Sequence, residues 1–165
     1  MKTLYLIGGT MGVGKSTVGW LLSHKTLQNA VFLDGDWCWD ATPFTVTNET
    51  KTMVMDNVCH LLVNFLRCSE YQNVVFCWVM HEQSIIDEIL SRLDLKNTRV
   101  ISVSLTCTET VLRSRLQADI DAGKRSADVI ERRVARLPCY NTLGTVLIDT
   151  TKQTVTETAE LLSRL

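Results

Sequence analysis

A glycine-rich stretch holds the residues whose types and spacing are best suited to chemistry. Residues 9–16 read Gly-Thr-Met-Gly-Val-Gly-Lys-Ser, which fits the pattern G-x-x-x-x-G-K-S. An apolar run at residues 4–7 precedes this stretch, and apolar residues with helical spacing follow it. This strand–loop–helix setting is the one that a phosphate-binding P-loop requires, because backbone N–H groups and the positive end of the helix surround a di- or triphosphate. The pattern therefore predicts a nucleotide site.

Two side chains of this P-loop have separate roles in holding the nucleotide. Lys15 is expected to reach the β- and γ-phosphates, and the Ser16 hydroxyl is expected to ligate Mg²⁺. The predicted cofactors are therefore ATP and Mg²⁺. The residues assigned to the nucleotide from the motif are Gly9, Thr10, Met11, Gly12, Val13, Gly14, Lys15, Ser16 and Thr17.

Paired carboxylates follow the second apolar run. The chain reads Asp34-Gly35-Asp36-Trp37-Cys38-Trp39-Asp40 directly after residues 30–33. Phosphoryl transfer needs charge neutralisation and a group that orients or deprotonates the acceptor, so Asp34 is predicted near Mg²⁺ and Asp36 near an acceptor hydroxyl. An Asp-Gly turn in which Asp36 caps a helix is the structural alternative. The position beside a P-loop favours the functional interpretation, with Lys15 and Asp36 as catalytic residues.

A histidine and a glutamate follow the third apolar run, at the same predicted edge of the sheet. Glu82 could contact Mg²⁺ through water, or it could stabilise the first turn of the next helix, where the macrodipole favours an anion. The functional and the structural interpretations of His81 and Glu82 are equally supported by the sequence.

Arginines are concentrated between residues 113 and 136, around the polar break Asp119-Ile120-Asp121-Ala122-Gly123. This pattern predicts a lid at about residues 115–130 that closes over the nucleotide, excludes water and brings arginines to the transferring phosphoryl group. Arginine suits that task because its planar fork binds phosphate through two hydrogen bonds. A solvated helix with acid–arginine pairs explains any single arginine equally well, although it does not explain the group.

These residues must be positioned by elements that the apolar pattern predicts. Short continuous apolar runs, typical of strands covered on both faces, lie at residues 4–7, 30–33, 74–79, 100–105 and 146–148. Helical patterns lie at residues 15–28, 48–68, 82–93, 108–122, 126–137 and 153–165. Alternating strands and helices predict one α/β domain over residues 1–165, with a five-stranded parallel sheet between two helical layers. Ligands of such sheets bind beyond the carboxyl ends of the strands.

Composition and charge exclude several classes of function. The formal net charge of −1 provides no overall basic field to hold nucleic acid. The sequence shows no signal-peptide pattern, and no apolar run approaches the roughly 20 residues of a membrane span. We therefore expect a cytoplasmic protein without nucleic acid or membrane partners, either monomeric or homodimeric.

The six cysteines form no C-x-x-C pair and match no zinc module. Most of them lie inside apolar runs, so they are expected to be small, reduced core residues. Cys38, beside the paired carboxylates, is the one thiol whose position could make it reactive, although a core role is favoured for it too.

The chain resembles shikimate kinase in three stretches of sequence. Residues 9–22 read Gly-x-x-Gly-x-Gly-Lys-Ser-Thr-Val-Gly-x-Leu-Leu, and Phe32-x-Asp34-x-Asp36 follows them. Further along, Arg136-x-Pro138-x-Tyr140 precedes Val146-Leu147-Ile148-Asp149-Thr150. Gluconate kinases and adenylate-type nucleotide kinases are near relatives of that family. The resemblance spans the whole chain and implies a small-molecule kinase with the P-loop NTPase fold.

The resemblance also implies roles for individual residues. It places Asp34 near Mg²⁺ and Asp36 against the acceptor hydroxyl. Arg115 matches the arginine that packs on adenine, and Arg125 matches the lid arginine that acts in catalysis. Arg136 matches the arginine that meets the acidic group of the substrate. The acceptor-binding segment is then expected at about residues 36–66.

The chain departs from shikimate kinases at two places that those enzymes use to bind the substrate carboxylate. Their Gly-Gly-Gly turn after the third strand is replaced by Val79-Met80-His81-Glu82, and residues 37–50 contain no arginine. Trp37, Trp39 and Phe44 lie in that segment instead, and an aromatic wall suits a flat or apolar acceptor better than a polar cyclohexene acid. The same rings could equally fill a core under the substrate-binding helices. The acceptor stays open, and the differences argue against shikimate.

The predicted function is a Mg²⁺- and ATP-dependent kinase that transfers the γ-phosphoryl group to a small molecule. Candidate acceptors are nucleosides, nucleotides and shikimate- or gluconate-like alcohols, and the predicted acceptor contacts are Asp34, Asp36, Trp37, Trp39 and Arg136. A nucleotide-binding regulatory ATPase without a small-molecule acceptor is the first alternative. An RNA- or DNA-end kinase is the second, and it would need a basic track that the net charge does not indicate.

Overall fold

A parallel sheet of five strands forms the middle of the computed structural model, which describes residues 1–123 and 130–165. The strands are β1 (Lys2–Gly8), β2 (Ala30–Asp34), β3 (Asn73–Cys77), β4 (Thr98–Thr106) and β5 (Val146–Asp149). They lie in the order β2-β3-β1-β4-β5, and every neighbouring pair is parallel. Their carboxyl ends therefore share one edge of the sheet, as the sequence predicts.

Helices connect the strands and cover the sheet. They are α1 (Lys15–Leu21), α2 (Asn48–Arg67), α3 (Gln83–Ser91), α4 (Glu109–Asp121), α5 (Ile130–Val134) and α6 (Val155–Ser163). A π-helical turn, Leu22–Thr26, extends α1, and short 3₁₀ helices span Gly35–Trp39 and Leu137–Thr142. Side chains of Thr47, Thr108 and Thr154 accept hydrogen bonds from backbone N–H groups and so cap α2, α4 and α6.

Apolar side chains form a separate core on each face of the sheet. On one face α1, α4 and α6 pack through Val18, Leu112, Leu116, Ala159 and Leu162. On the other face α2 and α3 pack through Val58, Leu62, Ile86 and Ile89. This arrangement confirms the predicted α/β fold, with one sheet between two helical layers.

The first helix lies unusually close to the sheet. A Cβ atom at Gly19 of α1 would lie 2.3 Å from the Cys77 sulfur and 2.9 Å from the Phe32 ring. Since real Cβ contacts are longer than this, only glycine allows the approach. The close packing fixes α1, and with it the P-loop that precedes it, against β3.

Two predicted elements end earlier in the structure than the sequence indicates. The apolar run at residues 74–79 continues past Cys77, but the strand stops there, and Met80 adopts a positive φ of 37°. The helix predicted over 126–137 is present only as Ile130–Val134 within the described residues. Pro138 lies in the 3₁₀ helix that follows, and a proline disfavours α conformation in the residue before it.

The described helices include none that combines the length and the apolar character needed to cross a bilayer.

Candidate active site

The P-loop has the backbone geometry that its glycines predict. Gly9, Gly12 and Gly14 have φ values of 150°, 91° and 103°, which are unfavourable for other residues. Gly12 is also crowded, because a Cβ there would lie 2.7 Å from a methyl carbon of Leu116 in α4. The loop therefore has one strongly determined shape, and α4 packs directly against it.

Lys15 lies at the start of α1 and is almost completely buried, with 5% of its surface exposed. The Cys77 thiol donates a hydrogen bond to the Lys15 carbonyl at 3.2 Å. Burial raises the pKa of that thiol strongly, the nearby Asp34 carboxylate raises it further, and the Lys15 ammonium lowers it. Lys15 and Asp34 therefore lie close to one buried point behind the P-loop.

Asp34 is the last residue of β2, and it organises the turn that carries Asp36. Its buried carboxylate accepts a hydrogen bond from the Asp36 backbone N–H at 3.0 Å and so caps the 3₁₀ helix Gly35–Trp39. The alternative in which Asp36 is the cap is therefore wrong; the cap is Asp34. A Cβ at Gly35 would lie 2.5 Å from the Trp78 ring, so glycine lets this turn pack against that indole.

The residues present fit a bound Mg²⁺. Within residues 1–123 and 130–165, no group of three His, Cys, Asp or Glu side chains could hold a metal by itself. Mg²⁺ in nucleotide sites does not need such a group, because it keeps several waters and takes phosphate oxygens plus one or two protein ligands. The half-buried Ser16 and the carboxylate of Asp34, close to Lys15, supply oxygens of the required kind.

A cavity of about 810 Å³ opens beside the P-loop at the carboxyl edge of the sheet. Met11 brings the P-loop to its wall, and Asp36 faces it from the turn after β2. The remaining lining comes from the segment after that turn, from α2 and α3, from the residues after β3 and from the arginines of the α5 region. Those lining residues are Trp39, Phe44, Val46, Lys51, Thr52, Val54, Met55, Trp78, Val79, Met80, His81, Glu82, Ile85, Glu88, Arg132, Arg133 and Arg136.

The predicted aromatic wall is present, but Trp37 is not part of it. Trp39 and Phe44 line the cavity with their ring centroids 4.5 Å apart, and Trp78 lies on the same wall. Trp37 is 64% exposed and packs edge-on against Phe32, outside the cavity. A 3₁₀ helix has three residues per turn, so Asp36 and Trp39 share one side while Trp37 points elsewhere.

Three arginines in and just after α5 line the same cavity as residues of α2 and α3. Arg136, predicted to meet an acidic group, lines the cavity together with Arg132 and Arg133. Arg125 lies outside the described residues, so its role in the lid stays a prediction. Arg113 does not face the cavity; it bonds Glu131 of α5 at 2.7 Å and Glu109 of its own helix at 2.8 Å.

Thr10 connects the P-loop to the α5 region. Its side chain is fully buried, and its hydroxyl donates to the Arg133 carbonyl at 2.9 Å. The nucleotide loop and the arginine-bearing segment are thus joined directly by one hydrogen bond.

The free energy of unfolding of Thr10→Val is expected to be about 0.5 to 1.5 kcal/mol lower than that of the wild type, because the hydrogen bond between the P-loop and the α5 region is lost. The Arg133 carbonyl still accepts from the Arg136 N–H at 3.2 Å, so it is not left unsatisfied. Urea unfolding at equilibrium measures this difference. Thr10→Ser keeps the hydroxyl and is the matched control, with a smaller loss from the missing methyl group. Equal stability of Thr10→Val and the wild type would show that the bond does not hold the segment.

Arg115 ties the back of the P-loop to the segment after β5. One Nη atom donates to the Val13 carbonyl at 3.2 Å and to the Thr150 hydroxyl at 3.1 Å, and the other donates to the Thr150 carbonyl at 3.0 Å. These bonds brace the loop that would hold the phosphates. The expected packing of Arg115 on adenine stays a prediction.

The turn after β3 presents His81 to the cavity. The Val79 carbonyl accepts from the Tyr140 hydroxyl at 2.8 Å and from the Gly9 N–H at 3.3 Å. The next residue, the buried Met80, adopts a positive φ. The two histidine nitrogens differ: Nε2 lies 3.3 Å from a Glu82 oxygen, whereas the buried Nδ1 has no hydrogen-bond partner among the described residues. Glu82 does not cap α3 with its side chain.

Burial lowers the pKa of His81, and the positive charge of Arg136 lowers it further, whereas Glu82 raises it. The unfolded chain therefore binds a proton at His81 more readily than the folded protein does. The stability that His81 contributes is present above its ordinary pKa of 6.5 and is lost as the pH falls through the lower folded value.

We expect the free energy of unfolding to fall between about pH 7 and pH 5, and His81→Gln to flatten that fall. Urea unfolding across this range, with His60→Gln as a control at an exposed histidine of α2, measures the difference. An identical pH dependence for wild type and His81→Gln would contradict the assignment.

Some residues of the cavity were missed by sequence reasoning. Trp78 was assigned to the interior of the third strand because it lies in a continuous apolar run, although residues just after a strand are the ones that face a ligand. Lys51 and Ile85 lie on helices whose orientation the sequence does not reveal. Of the cysteines, Cys59, Cys77 and Cys107 are buried as expected, and all six are unpaired thiols.

Comparisons with known proteins agree with this fold. Residues 6–136 match the family model described as an AAA domain. No curated protein sequence matches the chain. Among solved structures, a gluconokinase from Sinorhizobium meliloti 1021 superposes with a TM-score of 0.70 at 19% identity, covering 98% of this chain and 92% of its own.

Two further structures show the same likeness. The tunicamycin resistance protein of Deinococcus radiodurans has a TM-score of 0.71 at 18% identity, and the match covers 99% of this chain and 95% of that chain. Shikimate kinase from Acinetobacter baumannii, solved with shikimate, has a TM-score of 0.61 at 22% identity, covering 99% and 92%. At these identities the likeness shows a shared fold, that of the P-loop small-molecule kinases.

Proposed function

Because the chain belongs to the AAA domain family and has the fold of P-loop small-molecule kinases, we propose that it transfers the γ-phosphoryl group of ATP to a small-molecule acceptor. The observation that carries this proposal is the junction between the P-loop and the large cavity. Met11 of the loop and Asp36 of the β2 turn both line that cavity, so a donor phosphate and an acceptor would meet there.

The donor is held by the P-loop and by Lys15, whose buried ammonium group faces the position of the β- and γ-phosphates. Ser16 and Asp34 would hold Mg²⁺, which supplies neutralisation of the phosphate charge during transfer. Arg115 keeps the loop in place through Val13. Because the loop shape is fixed before nucleotide binds, little reorganisation is needed at the moment of reaction.

The acceptor is held in the cavity, with its reacting hydroxyl next to Asp36. An acceptor oxygen forms a bond to the γ-phosphorus as the bond to the β–γ bridging oxygen breaks, and ADP leaves with that electron pair. The hydroxyl proton passes to the Asp36 carboxylate. Arg125, in the proposed lid, stabilises the charge on the phosphoryl group in transit.

Support for an acceptor, rather than for a regulatory ATPase, comes from the volume and lining of the cavity. A protein that only bound and hydrolysed ATP would have no need of about 810 Å³ of lined space beside its P-loop. The gluconokinase and the shikimate kinase are named for sugar-acid and cyclic-acid substrates; for this chain we propose an acceptor of small-molecule size. A cytoplasmic protein, monomeric or homodimeric and without nucleic acid, remains our expectation.

The experiment that tests the proposal is ATP consumption with Mg²⁺, with and without acceptors. The panel contains nucleosides, nucleoside monophosphates, gluconate and shikimate, and a chelator control removes Mg²⁺. We expect ATP consumption to rise at least about tenfold with one class of acceptor. Consumption that no small molecule stimulates, but that a protein partner does, would instead support the regulatory ATPase.

A further inference from the structure

The lining of the cavity contains two kinds of side chain, aromatic rings and arginines, and together they indicate the chemistry of the molecule that fills it. We infer that the acceptor combines a flat unsaturated ring, a hydroxyl and an anionic group, which is the chemistry of a nucleoside monophosphate. The ring lies on the wall formed by Trp39, Phe44 and Trp78, and the anionic group meets Arg132 and Arg136. This inference rests on the proposed function, because it identifies the acceptor of that same site.

The aromatic part of the lining is open to solvent in a way that a purely structural cluster would not be. Phe44 is 60% exposed and Val46 is 56% exposed, and both line the cavity. The neighbouring Trp39 ring lies 4.5 Å from the Phe44 ring, so the two present a continuous apolar face. Exposed apolar faces of this kind mark binding sites, and a flat ring covers them better than a hydrated sugar does.

The charged part of the lining has cations whose charge is not neutralised by the described residues. Arg92, Arg113 and Arg164, which lie outside the cavity, each form an ion pair with an Asp or Glu. Arg132 and Arg136 line the cavity and form no ion pair within residues 1–123 and 130–165. Arginine that is left unpaired at a cavity is suited to a phosphate or carboxylate of the ligand.

The acidic residues of the cavity do not cancel this positive charge. Glu88 pairs with Arg92, and Glu82 lies beside His81. With Asp36 the lining has three carboxylates, against the four cations Lys51, Arg132, Arg133 and Arg136. Burial and the positive charge of Arg136, which lines the same cavity, both lower the pKa of His81. An anionic ligand group therefore meets a net positive wall.

Acceptors with only one of the two features fit less well. Gluconate and shikimate bring an acid but no flat unsaturated surface of aromatic size, so they would leave Trp39 and Phe44 facing water. A neutral nucleoside brings the ring but leaves the arginines without a partner. An acceptor with both a ring and an anionic group contacts both kinds of side chain, and Asp36, which lines the same cavity, would take its sugar hydroxyl.

Equilibrium binding separates these features without requiring catalysis. Titration calorimetry is carried out on the full chain, with the donor site saturated by Mg²⁺ and ADP. The probes are the four common nucleoside monophosphates, adenosine as ring without phosphate, ribose 5-phosphate as phosphate without ring, and gluconate. We expect the best monophosphate to bind at least about tenfold more tightly than adenosine, ribose 5-phosphate or gluconate, since it alone combines base stacking with the phosphate contact.

Two substitutions in the aromatic part of the lining make the test specific to the ring. Phe44 is mostly exposed, so the Phe44→Leu variant should fold. This variant is expected to bind the monophosphate about 3- to 10-fold more weakly and to bind ribose 5-phosphate as the wild type does. Trp39→Leu is expected to weaken it about tenfold or more, whereas Trp37→Leu, two residues away and outside the cavity, is the matched control and should bind as the wild type does.

The binding measurements either support the inferred acceptor or overturn it. The inference is overturned if ribose 5-phosphate or gluconate binds as tightly as the best monophosphate, if no monophosphate binds, or if Trp39→Leu and Trp37→Leu behave alike. Its failure is distinguishable from failure of the proposed function. ATP-dependent phosphorylation of gluconate would support the proposed kinase activity and refute the inference that the acceptor carries a flat ring. Tight monophosphate binding without phosphoryl transfer would support the inferred acceptor and refute the proposed kinase activity.

Discussion

Replacing Lys15 with alanine should reduce acceptor-dependent ATP turnover by at least about 10³-fold and weaken ATP binding. The side chain is 5% exposed and lies at the first position of α1, so its charge faces the phosphates from a desolvated position. Charge interactions are much stronger there than in water, and the surrounding residues cannot easily replace the lost cation. Steady-state turnover and calorimetric titration with ATP measure the two effects.

The control for this variant is Lys25→Ala, at an exposed lysine of the π-helical turn after α1, which should keep wild-type turnover. The fold of Lys15→Ala should also survive, because α1 stays packed on the sheet through the buried Val18 and Gly19. Thermal unfolding without nucleotide checks this point. A folded Lys15→Ala protein that retains turnover would show that the P-loop is not the donor site.

Asp36→Asn should leave ATP binding within about twofold of wild type while lowering phosphoryl transfer by about 10²- to 10⁴-fold. An amide of the same shape cannot take the acceptor proton, so the loss should appear in kcat more than in the KM for ATP. The substitution is also structurally mild, because the bond that caps the turn uses the backbone N–H of residue 36 and the carboxylate of Asp34. Single-turnover transfer, with whichever acceptor of the panel stimulates ATP consumption, measures the chemical step.

Asp40→Asn is the matched control for Asp36→Asn. It changes an exposed aspartate directly after the same 3₁₀ helix, outside the lining of the cavity. Its transfer rate should equal that of the wild type. An unchanged kcat for Asp36→Asn with the true acceptor would show that Asp36 does not take the acceptor proton. The proposed mechanism would then lack a base at the junction between the P-loop and the cavity.

The fold could be predicted from sequence because its signals are local. Each strand is a short apolar run, and the P-loop motif fixes both the turn after β1 and the start of α1. Glycines in the sequence indicate close contacts but not the partner residue. At Gly12 the space that a side chain would need is taken by Leu116, from a helix about 100 residues further along the chain. Parallel pairing then follows from the alternation of strands and helices.

The shape of the acceptor cavity could not be predicted in the same way, because it depends on contacts between distant segments. Trp37 and Trp39 are equivalent in the sequence, and only the 3₁₀ geometry of the turn separates them. Trp78 lines the cavity just beyond the end of β3 at Cys77, and the Val79 carbonyl that follows accepts from the Tyr140 hydroxyl and the Gly9 N–H. No local pattern encodes these bonds.

In the arginine-rich region, too, the sequence predicts some features of the structure and not others. Its composition predicts a cationic element beside the nucleotide, and in the structure Arg136 lines the cavity. The contact of Arg136 with an acidic group of the substrate stays a prediction. The hydrogen bond that joins this element to Thr10 of the P-loop could not be read from the sequence, since it uses a backbone carbonyl. It offers a direct physical connection between the donor and acceptor sides of the site.

The most direct test of the central claim follows the γ-phosphoryl group itself. The protein is incubated with Mg²⁺ and ATP labelled with heavy oxygen in the γ-phosphoryl group, together with the acceptor panel, and the products are identified by mass spectrometry. We predict that one acceptor gains a single labelled phosphoryl group, that ADP forms in equal amount, and that Asp36→Asn lacks this product. Label that appears only in inorganic phosphate, whatever acceptor is present, would contradict the account.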